Sequence, residues 1–479
     1  MRHTFQVDLR GMIDLLSEHL YGGPEVYLRE LLQNGVDALT ARAAAQPGHR
    51  GGLTVTLTPG VDGPPILTFE DDGIGLDADG VHAFLATIGR SSKRGDRDFI
   101  GQFGIGLLSC FVVADEIELV TRSVTGASAV RWTGYADGQY TLTELDPEDE
   151  TARTVGTRVV LRAKSGREGY FDPERVRAWC ASYAALLPYP VTVRCPEGES
   201  VVNDRPAPWD THAEGDALRA ALIDGGADLL GVDPFDAVVI RTAAGDVRGV
   251  AYVLPWTPTL AVRGRHRVYL RGMLLSEDSE HLVPDWAFFV KCILDARDLR
   301  PNAARDALYE DASLHAAREE IGRALRDYLL RLAEHEPARL RALIALHYLS
   351  IKALAVEDDE FFELFLPWLP FETSLGRITL PEFLRRSTRV RFVSDLNLFR
   401  QVGQVAVASG QAVVHAVYTH DAALLEKYGA LHPEVSVERL DAASFAADLA
   451  ELGPDERREH ATFVRAANEV LLDLGCEAR

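Results

Sequence analysis

The stretch on which the fold depends is Leu28-Arg29-Glu30-Leu31-Leu32-Gln33-Asn34-Gly35-Val36-Asp37-Ala38-Leu39. In a helix, Glu30, Asn34 and Asp37 lie at i, i+4 and i+7 and therefore share one face. An amide oxygen is a hard ligand that suits Mg²⁺, and a carboxylate one turn away can orient or deprotonate a water molecule. The same spacing is common on solvated helix faces, so this stretch alone predicts a helix and leaves its chemistry open.

Two glycine-rich motifs follow this helix. The first is Phe69-Glu70-Asp71-Asp72-Gly73-Ile74-Gly75-Leu76, an Asp-x-Gly-x-Gly sequence at the end of a predicted strand. Its glycines would let the backbone approach a planar ligand, and Asp71 could accept a hydrogen bond from an exocyclic amine such as that of adenine. The alternative interpretation is a tight turn after a strand.

The second motif is Gly101-Gln102-Phe103-Gly104-Ile105-Gly106-Leu107, placed before an apolar run. Glycines that open a helix can form a phosphate-binding loop, because free N–H groups and the helix dipole face the anion. Farther along the chain, Gly156-Thr157 begins a predicted strand, where a threonine hydroxyl could reach a ligand. Taken separately, neither feature is specific.

The composition limits the class of protein. The 479 residues include 47% hydrophobic and 25% charged residues, as in ordinary globular proteins, and carry a formal net charge of −22. This acidic balance argues against general binding to nucleic acid or anionic lipid. Five scattered cysteines without a CxxC spacing favour a reducing compartment, and neither a signal peptide nor a membrane-spanning run is predicted. We therefore expect a cytoplasmic protein.

Periodicity predicts the secondary structure around the motifs. A helix should cover residues 25–43, and Asp172 before Pro173 predicts the start of another helix. The predicted strands are residues 53–58, 66–70, 116–121, 129–135, 139–145 and 157–163. Strands in succession after grouped helices favour an α/β sandwich on a mostly antiparallel sheet.

Together and in this order, the four motifs resemble the nucleotide-binding signature of the GHKL ATPases. That superfamily includes type II topoisomerases, mismatch-repair ATPases, histidine kinases and the 90-kDa heat-shock chaperones. The Leu-Arg-Glu-Leu and Gly-Gln-Phe-Gly-Ile-Gly sequences, with Phe5-Gln6-Val7 before them, are most similar to chaperones of the bacterial HtpG type. The segments that resemble the middle domain of those chaperones are residues 268–271, 282–286, 289–291, 298–308, 369–374 and 378–382.

The resemblance implies a role for each matching residue. Glu30 corresponds to the general base that activates water for attack on the γ-phosphate, and Arg305 to the middle-domain arginine that contacts that phosphate. Asn34 corresponds to the Mg²⁺ ligand, and Asp71 to the aspartate that recognises adenine. The other implied ATP-binding residues are Asp37, Gly73, Gly75, Leu76, Arg90, Ser91, Gly101, Gly104, Gly106, Leu107 and Thr157. The implied cofactors are ATP and Mg²⁺.

The fold that this resemblance implies is α+β: a GHKL (Bergerat) nucleotide-binding α/β sandwich followed by αβα middle-domain units. We predict an N-terminal ATP-binding domain in residues 1–205. A large αβ middle segment with the catalytic arginine loop should cover residues 206–375. A small αβ middle segment with a terminal helix should cover residues 376–479.

Three features depart from the family pattern. Residues 92–99, between the nucleotide motif and the glycine loop, are fewer than in the family's lid over ATP. Tyr309 stands where the family usually has glutamine. The sequence after about residue 449 is too short for the family's dimerisation domain, so we expect a monomer or a weak, nucleotide-dependent homodimer. The last predicted helix, residues 455–474, should pack on its own domain or, alternatively, form a replacement dimer contact.

The leading functional hypothesis is an ATP-dependent molecular chaperone that binds unfolded or client proteins and hydrolyses ATP slowly with domain closure. The alternative is a nucleotide-regulated protein-binding module with little or no turnover. The presence of Glu30, Asn34 and Arg305 favours the enzyme, whereas the short lid favours the module. The net charge and the middle segment disfavour a DNA-linked ATPase, so neither nucleic acid nor a membrane is an expected partner.

Overall fold

The computed structural model describes residues 23–60, 63–84, 106–258, 265–302, 305–408, 411–441 and 453–472. The chain divides into two compact units, Met1–Leu329 and Leu330–Arg479, which are considered separately. The predicted domain boundaries near residues 205 and 375 remain predictions.

The first unit contains five α-helices and thirteen strands among its described residues. The helices are α1 (Val26–Ala45), α2 (Ala78–Phe84), α3 (Pro173–Ala184), α4 (Gly215–Leu230) and α5 (Ala312–His335), the last of which crosses the unit boundary. The strands are β1 (Leu53–Thr58), β2 (Ile66–Asp71), β3 (Glu116–Arg122), β4 (Val130–Tyr135), β5 (Tyr140–Glu144), β6 (Gly156–Arg162), β7 (Val191–Cys195), β8 (Gly198–Val201), β9 (Asp236–Arg241), β10 (Val247–Val253), β11 (His266–Leu270), β12 (Met273–Ser279) and β13 (Val290–Ala296). The first predicted helix and the predicted strands are confirmed, with small differences at their ends. Asp172 is confirmed as the N-cap of α3, where its side chain accepts a hydrogen bond from the Arg175 amide.

The first sheet carries the nucleotide motifs. Among the described strands its order is β5-β4-β3-β6-β2-β1-β7-β8. The β1–β7 pair is parallel, and the remaining neighbours are antiparallel, as predicted. Residues of β1 and β4 alternate between buried and partly exposed positions, so one face of the sheet forms the core under the helices. The α+β fold class is therefore confirmed.

Helix α1 packs very closely against this sheet because residue 35 is glycine. A Cβ atom at Gly35 would lie 2.6 Å from Leu53 Cδ2 and 2.8 Å from Phe69 Cζ, closer than such atoms pack. Glycine inside a helix costs about 1 kcal/mol relative to alanine. Burial of Leu28, Leu32 and other apolar residues of α1 on β1 and β2 offsets that cost.

A second sheet in the same unit has the order β12-β11-β13-β10-β9. Helix α4 packs on β9 and β10, and the buried Asp236 joins this layer to α5. Its two carboxylate oxygens accept hydrogen bonds from Arg219 at 2.8 Å each, and one also accepts from the Tyr328 hydroxyl at 2.7 Å. A buried carboxylate is tolerated when it is paired in this way.

The second unit is a smaller αβ structure. Its helices are α6 (Pro337–Glu357), α7 (Asp359–Phe365), α8 (Leu380–Leu384), α9 (Leu396–Ala408), α10 (Asp421–Leu431) and α11 (Pro454–Leu471). Its strands are β14 (Pro370–Thr373), β15 (Gly376–Thr379), β16 (Arg389–Val393), β17 (Val413–His415) and β18 (Ser436–Arg439), in the sheet order β15-β14-β17-β16-β18. Within residues 453–472 no side chain is buried and Phe463 is 72% exposed, so the expected packing of the last helix on its own domain is not found.

A buried ion pair joins α6 to α10 in this unit. Lys352 and Asp421 have side chains that are 2% and 1% exposed, and Lys352 Nζ lies 2.5 Å from Asp421 Oδ1. The ammonium group also donates to the Pro370 carbonyl at 3.3 Å and lies 4.9 Å from the centre of the Phe371 ring. These contacts replace the hydration that both charges lose on burial.

No helix in the described ranges is both long enough and apolar enough to cross a membrane.

Replacing Lys352 with methionine should lower the free energy of unfolding of the second unit by about 3–5 kcal/mol, because Asp421 would stay buried without a cation. The double variant Lys352→Met/Asp421→Leu removes both charges and should recover most of that loss. Urea denaturation of the intact chain measures both changes. A double variant as unstable as the single variant would contradict this account of the pair.

Candidate functional site

Arg305 reaches the middle of α1 from a loop that follows β13. The base of this loop is closed by an isolated bridge between Pro301 and Leu308 and by a 2.7 Å hydrogen bond from the Tyr309 amide to the Arg300 carbonyl. Arg305 has a left-handed backbone with φ of 58°. This conformation costs a residue with a side chain about 1–2 kcal/mol, so contacts of Arg305 must hold it.

Those contacts form what we call the arginine cluster, which consists of Arg29, Glu30, Gln33 and Arg305. A guanidinium N–H of Arg305 donates to Gln33 Oε1, and the same nitrogen lies 3.5 Å from Glu30 Oε2. Arg29 lies 3.3 Å from Glu30 Oε1 and also donates to the Arg305 carbonyl at 3.4 Å. Both carboxylate oxygens of Glu30 therefore face a guanidinium group, and the two predicted catalytic residues are paired with each other.

The arginine cluster is a buried positive site in an acidic chain. Glu30 and Arg305 have side chains that are 7% and 12% exposed. Two arginines against one carboxylate leave one positive charge, although the whole chain carries −22. A buried cation attracts an anion more strongly than an exposed one, because solvent screens it less.

Gly106, at the end of the glycine motif, lies against Glu30. A Cβ atom on Gly106 would lie 2.2 Å from Glu30 Oε2, so a larger residue here would displace the Glu30 carboxylate. Gly106 begins a short 3-10 turn, Gly106–Val112, in place of the predicted helix start, and Leu107 follows it at a half-buried position. Burial, and secondarily the Glu30 carboxylate, raise the pKa of the Cys110 thiol in this turn, so Cys110 stays protonated and serves as an apolar packing group.

The other predicted residues of α1 differ in exposure. Asp37 is buried, as Glu30 is, whereas Asn34 is exposed. The three residues lie in one helix at the predicted spacing, and along it Glu30 and Asp37 are buried whereas Asn34 reaches solvent.

The Asp-x-Gly-x-Gly motif forms a turn that follows β2 in the chain and lies against both α1 and β3. The Gly73 amide donates to Asp71 Oδ1 at 2.8 Å, and the Ile74 amide donates to the Ala38 carbonyl of α1 at 3.0 Å. A Cβ on Gly75, whose φ is 63°, would lie 1.9 Å from the Arg122 carbonyl oxygen. The motif is therefore a tight turn, and that turn fixes the orientation of the Asp71 carboxylate. The predicted contact of Asp71 with adenine remains a prediction.

Strand register places Thr157, another predicted ATP-binding residue, beside Asp71. Thr157 on β6 pairs with Asp71 on β2 and with Thr121 on β3, so three polar residues form a row across adjacent strands. We call Asp71, Gly73, Leu76, Thr121 and Thr157 the turn cluster.

Thr121 connects the members of the turn cluster, and the sequence analysis missed it. Its buried hydroxyl donates to the Gly156 carbonyl at 3.0 Å and accepts from the Leu76 amide at 2.9 Å. Because the single hydroxyl hydrogen of Thr121 is used, Thr157 donates across the 3.2 Å that separate the two hydroxyl oxygens. No sequence motif marks Thr121; only the strand order β3-β6-β2 brings it to this site.

Comparison with known proteins identifies an ATPase domain in the first part of the chain. Residues 23–152 match the family profile described as histidine kinase-, DNA gyrase B-, and HSP90-like ATPase. The chain is 27% identical over 374 residues to the chaperone protein HtpG of Myxococcus xanthus, and the match covers 70% of this chain and 56% of that one. It is 26% identical over 435 residues to the HtpG of Oleidesulfovibrio alaskensis, which covers 81% of this chain and 64% of that one.

The chain is thus similar over 70–81% of its length to HtpG chaperones of the 90-kDa heat-shock type. The HtpG of Azorhizobium caulinodans is similar as well, with 29% identity over 361 residues, 70% of this chain and 56% of that one. The chain spans 56–66% of the length of the HtpG relatives that it matches. The part that matches the ATPase profile contains the turn cluster except Thr157, and the arginine cluster except Arg305.

Some predicted residues of this HtpG-type site lie outside the described residues. They are Arg90, Ser91, Gly101 and Gly104, together with the predicted lid, residues 92–99. Tyr309 is described and is 57% exposed, so its side chain takes no part in the arginine cluster.

Replacing Thr121 with valine keeps the shape of the side chain and removes its hydroxyl. The Leu76 amide then loses its acceptor and the Gly156 carbonyl a donor, so the free energy of unfolding should fall by about 1–3 kcal/mol. Thr121→Ser, which keeps the hydroxyl, is the matched control and should lose much less. Urea denaturation compares the two variants, and equal stability would show that the Thr121 hydroxyl does not support the turn cluster.

Proposed function

We propose that the chain is an ATP-dependent molecular chaperone of the 90-kDa heat-shock type, which binds and slowly hydrolyses ATP while its domains close. The main support is the position of Glu30, which lies against Gly106 of the glycine motif and beside the Arg305 guanidinium. A carboxylate at the end of a phosphate-binding loop is suited to act as a general base on water. The neighbouring guanidinium is suited to stabilise charge on a transferred phosphoryl group.

The two clusters suit opposite ends of one nucleotide. Glu30 belongs to the arginine cluster, and Ala38 lies against Gly73 of the turn cluster. The two residues are eight positions apart on α1, or about 12 Å along the helix axis. Asp71 would accept a hydrogen bond from the adenine amine, and the Thr157 hydroxyl would complete that end of the site. Glu30 would take a proton from the attacking water, and Arg305 would contact the γ-phosphate.

Asn34 is the residue that we assign to Mg²⁺. In the described part of the chain, histidine, cysteine, aspartate and glutamate side chains do not assemble into a group that could hold a metal ion. Mg²⁺ commonly takes a few protein oxygens and completes its shell with phosphates and water. The exposed amide oxygen of Asn34 fits that arrangement, in which the ion would neutralise phosphate charge.

The alternative is a nucleotide-regulated protein-binding module with little turnover. One observation favours it: both carboxylate oxygens of Glu30 face arginines, and these ion pairs compete with a water molecule for the proposed base. ATP affinity by calorimetry and phosphate release by single-turnover assay, measured on one preparation, separate the two functions. Binding with turnover supports the chaperone ATPase, and binding without turnover supports the module. In either case we propose client proteins as partners and a monomer or weak, nucleotide-dependent homodimer.

Asp71→Asn should abolish or greatly weaken ATP binding, because an amide nitrogen can place a donor where the adenine amine needs an acceptor. Asp72→Asn, a change of the exposed neighbouring carboxylate, is the matched control and should bind normally. Isothermal titration calorimetry measures both affinities. Unchanged affinity in Asp71→Asn would remove Asp71 from the adenine-binding site.

Glu30→Ala should keep ATP binding and lose hydrolysis, since a positioned base contributes roughly 10²–10⁴-fold to the rate. Glu30→Gln keeps the size of the side chain and should be equally inactive, which separates basicity from packing. Arg305→Ala should also lower turnover and spare affinity. Single-turnover assays measure these rates, and wild-type turnover in either Glu30 variant would contradict its role as base.

A further inference from the structure

Gln33 is a buried residue of α1 that the predicted site did not include. It lies three residues after Glu30, on the same side of the helix, and is 2% exposed. An arginine side chain can only donate hydrogen bonds, so the Gln33 atom that Arg305 contacts must be the carbonyl oxygen. The orientation of the amide group is therefore fixed by Arg305, and its Nε2 has no hydrogen-bond partner among the described residues.

The contact with Gln33 places Arg305 on the predicted base. The same guanidinium nitrogen meets Gln33 Oε1 and lies 3.5 Å from Glu30 Oε2. In this arrangement the positive charge of Arg305 is directed at the carboxylate instead of at a phosphate. A carboxylate oxygen that faces a guanidinium also has fewer lone pairs left to accept a hydrogen bond from water.

We infer that Gln33 is a positioning residue that holds Arg305 against Glu30, so that the terminal phosphate of ATP must draw Arg305 away before Glu30 can act. This inference rests on the proposed ATPase function and adds a regulatory step to the same site. The covalent chemistry is unchanged: water attacks the γ-phosphate, Glu30 takes the proton, and ADP leaves.

A neutral hydrogen-bond acceptor is suited to a contact with Arg305 that must form and break. Glutamine contributes one hydrogen bond to a charged donor, and such bonds are stronger than those between neutral groups. It adds no negative charge, so the arginine cluster keeps its single net positive charge and still attracts phosphate. A terminal phosphate offers several charged oxygens and can therefore compete with one amide and one carboxylate for Arg305.

Two variants of Gln33 should change turnover in opposite directions. Gln33→Leu removes the acceptor at similar size, and kcat should rise roughly tenfold, the factor expected when one hydrogen bond to a charged group is lost from the resting state. The Kd for ATP should change much less than kcat. Gln33→Glu adds a second carboxylate against Arg305 and should lower kcat below that of the wild type. The exposed Gln139→Leu, in the loop between β4 and β5, is the control and should leave both constants unchanged.

A structural role alone would not produce this pattern, because damage to α1 packing would lower kcat in both Gln33 variants. A kcat that falls or stays unchanged in Gln33→Leu would overturn the inference. So would a kcat that rises in Gln33→Glu.

Hydrogen exchange tests whether Gln33 holds the loop that carries Arg305, and it requires no turnover. The Arg305 amide donates to the Asn302 carbonyl at 3.2 Å, and the Asn302 amide donates to the Ala307 carbonyl at 2.8 Å. Both amides should exchange faster in Gln33→Leu than in the wild type and in Gln139→Leu. Equal exchange would show that Gln33 does not hold the loop. If the wild type neither binds nor hydrolyses ATP, the proposed function fails, and this exchange comparison still decides the role of Gln33.

Discussion

The close packing of α1 on the first sheet is the constraint on which the site depends. Because residue 35 lacks a side chain, the helix approaches Leu53 and Phe69 at a distance that no larger residue would allow. The same closeness brings Ala38 against the Asp-x-Gly-x-Gly turn and Glu30 against Gly106. The two ends of the candidate site are therefore fixed by one helix, and their separation along α1 is set by helix geometry.

Charge and burial explain why the arginine cluster is a resting arrangement. The buried carboxylate of Glu30 is paired with Arg29 and Arg305. The four residues of the arginine cluster together carry one net positive charge. An arriving phosphate would neutralise that charge. The pairing that stabilises the arginine cluster is thus also the pairing that a substrate can replace.

The sequence predicted local structure well and long-range contacts poorly. Periodicity located α1 and the strands of the first sheet, because burial on one face leaves a regular spacing of apolar residues. It could not locate Thr121, since the importance of that hydroxyl arises from the pairing of β3 with β6 and of β6 with β2. Resemblance to a family predicted that Arg305 contacts a phosphate. Its contacts with Glu30 and Gln33, about 275 residues earlier, depend on tertiary packing that no local pattern encodes.

The way Arg305 is attached to the fold couples its movement to the second sheet. The base of its loop is closed by the bridge between Pro301 and Leu308, which directly follows β13 of that sheet. Arg29 binds the Arg305 carbonyl as well as Glu30, so rotation of the Arg305 side chain alone would leave its backbone attached to α1. Complete release therefore requires the loop, or the sheet that carries it, to move relative to α1. Whatever fixes the position of the second sheet then also sets how readily Glu30 becomes available.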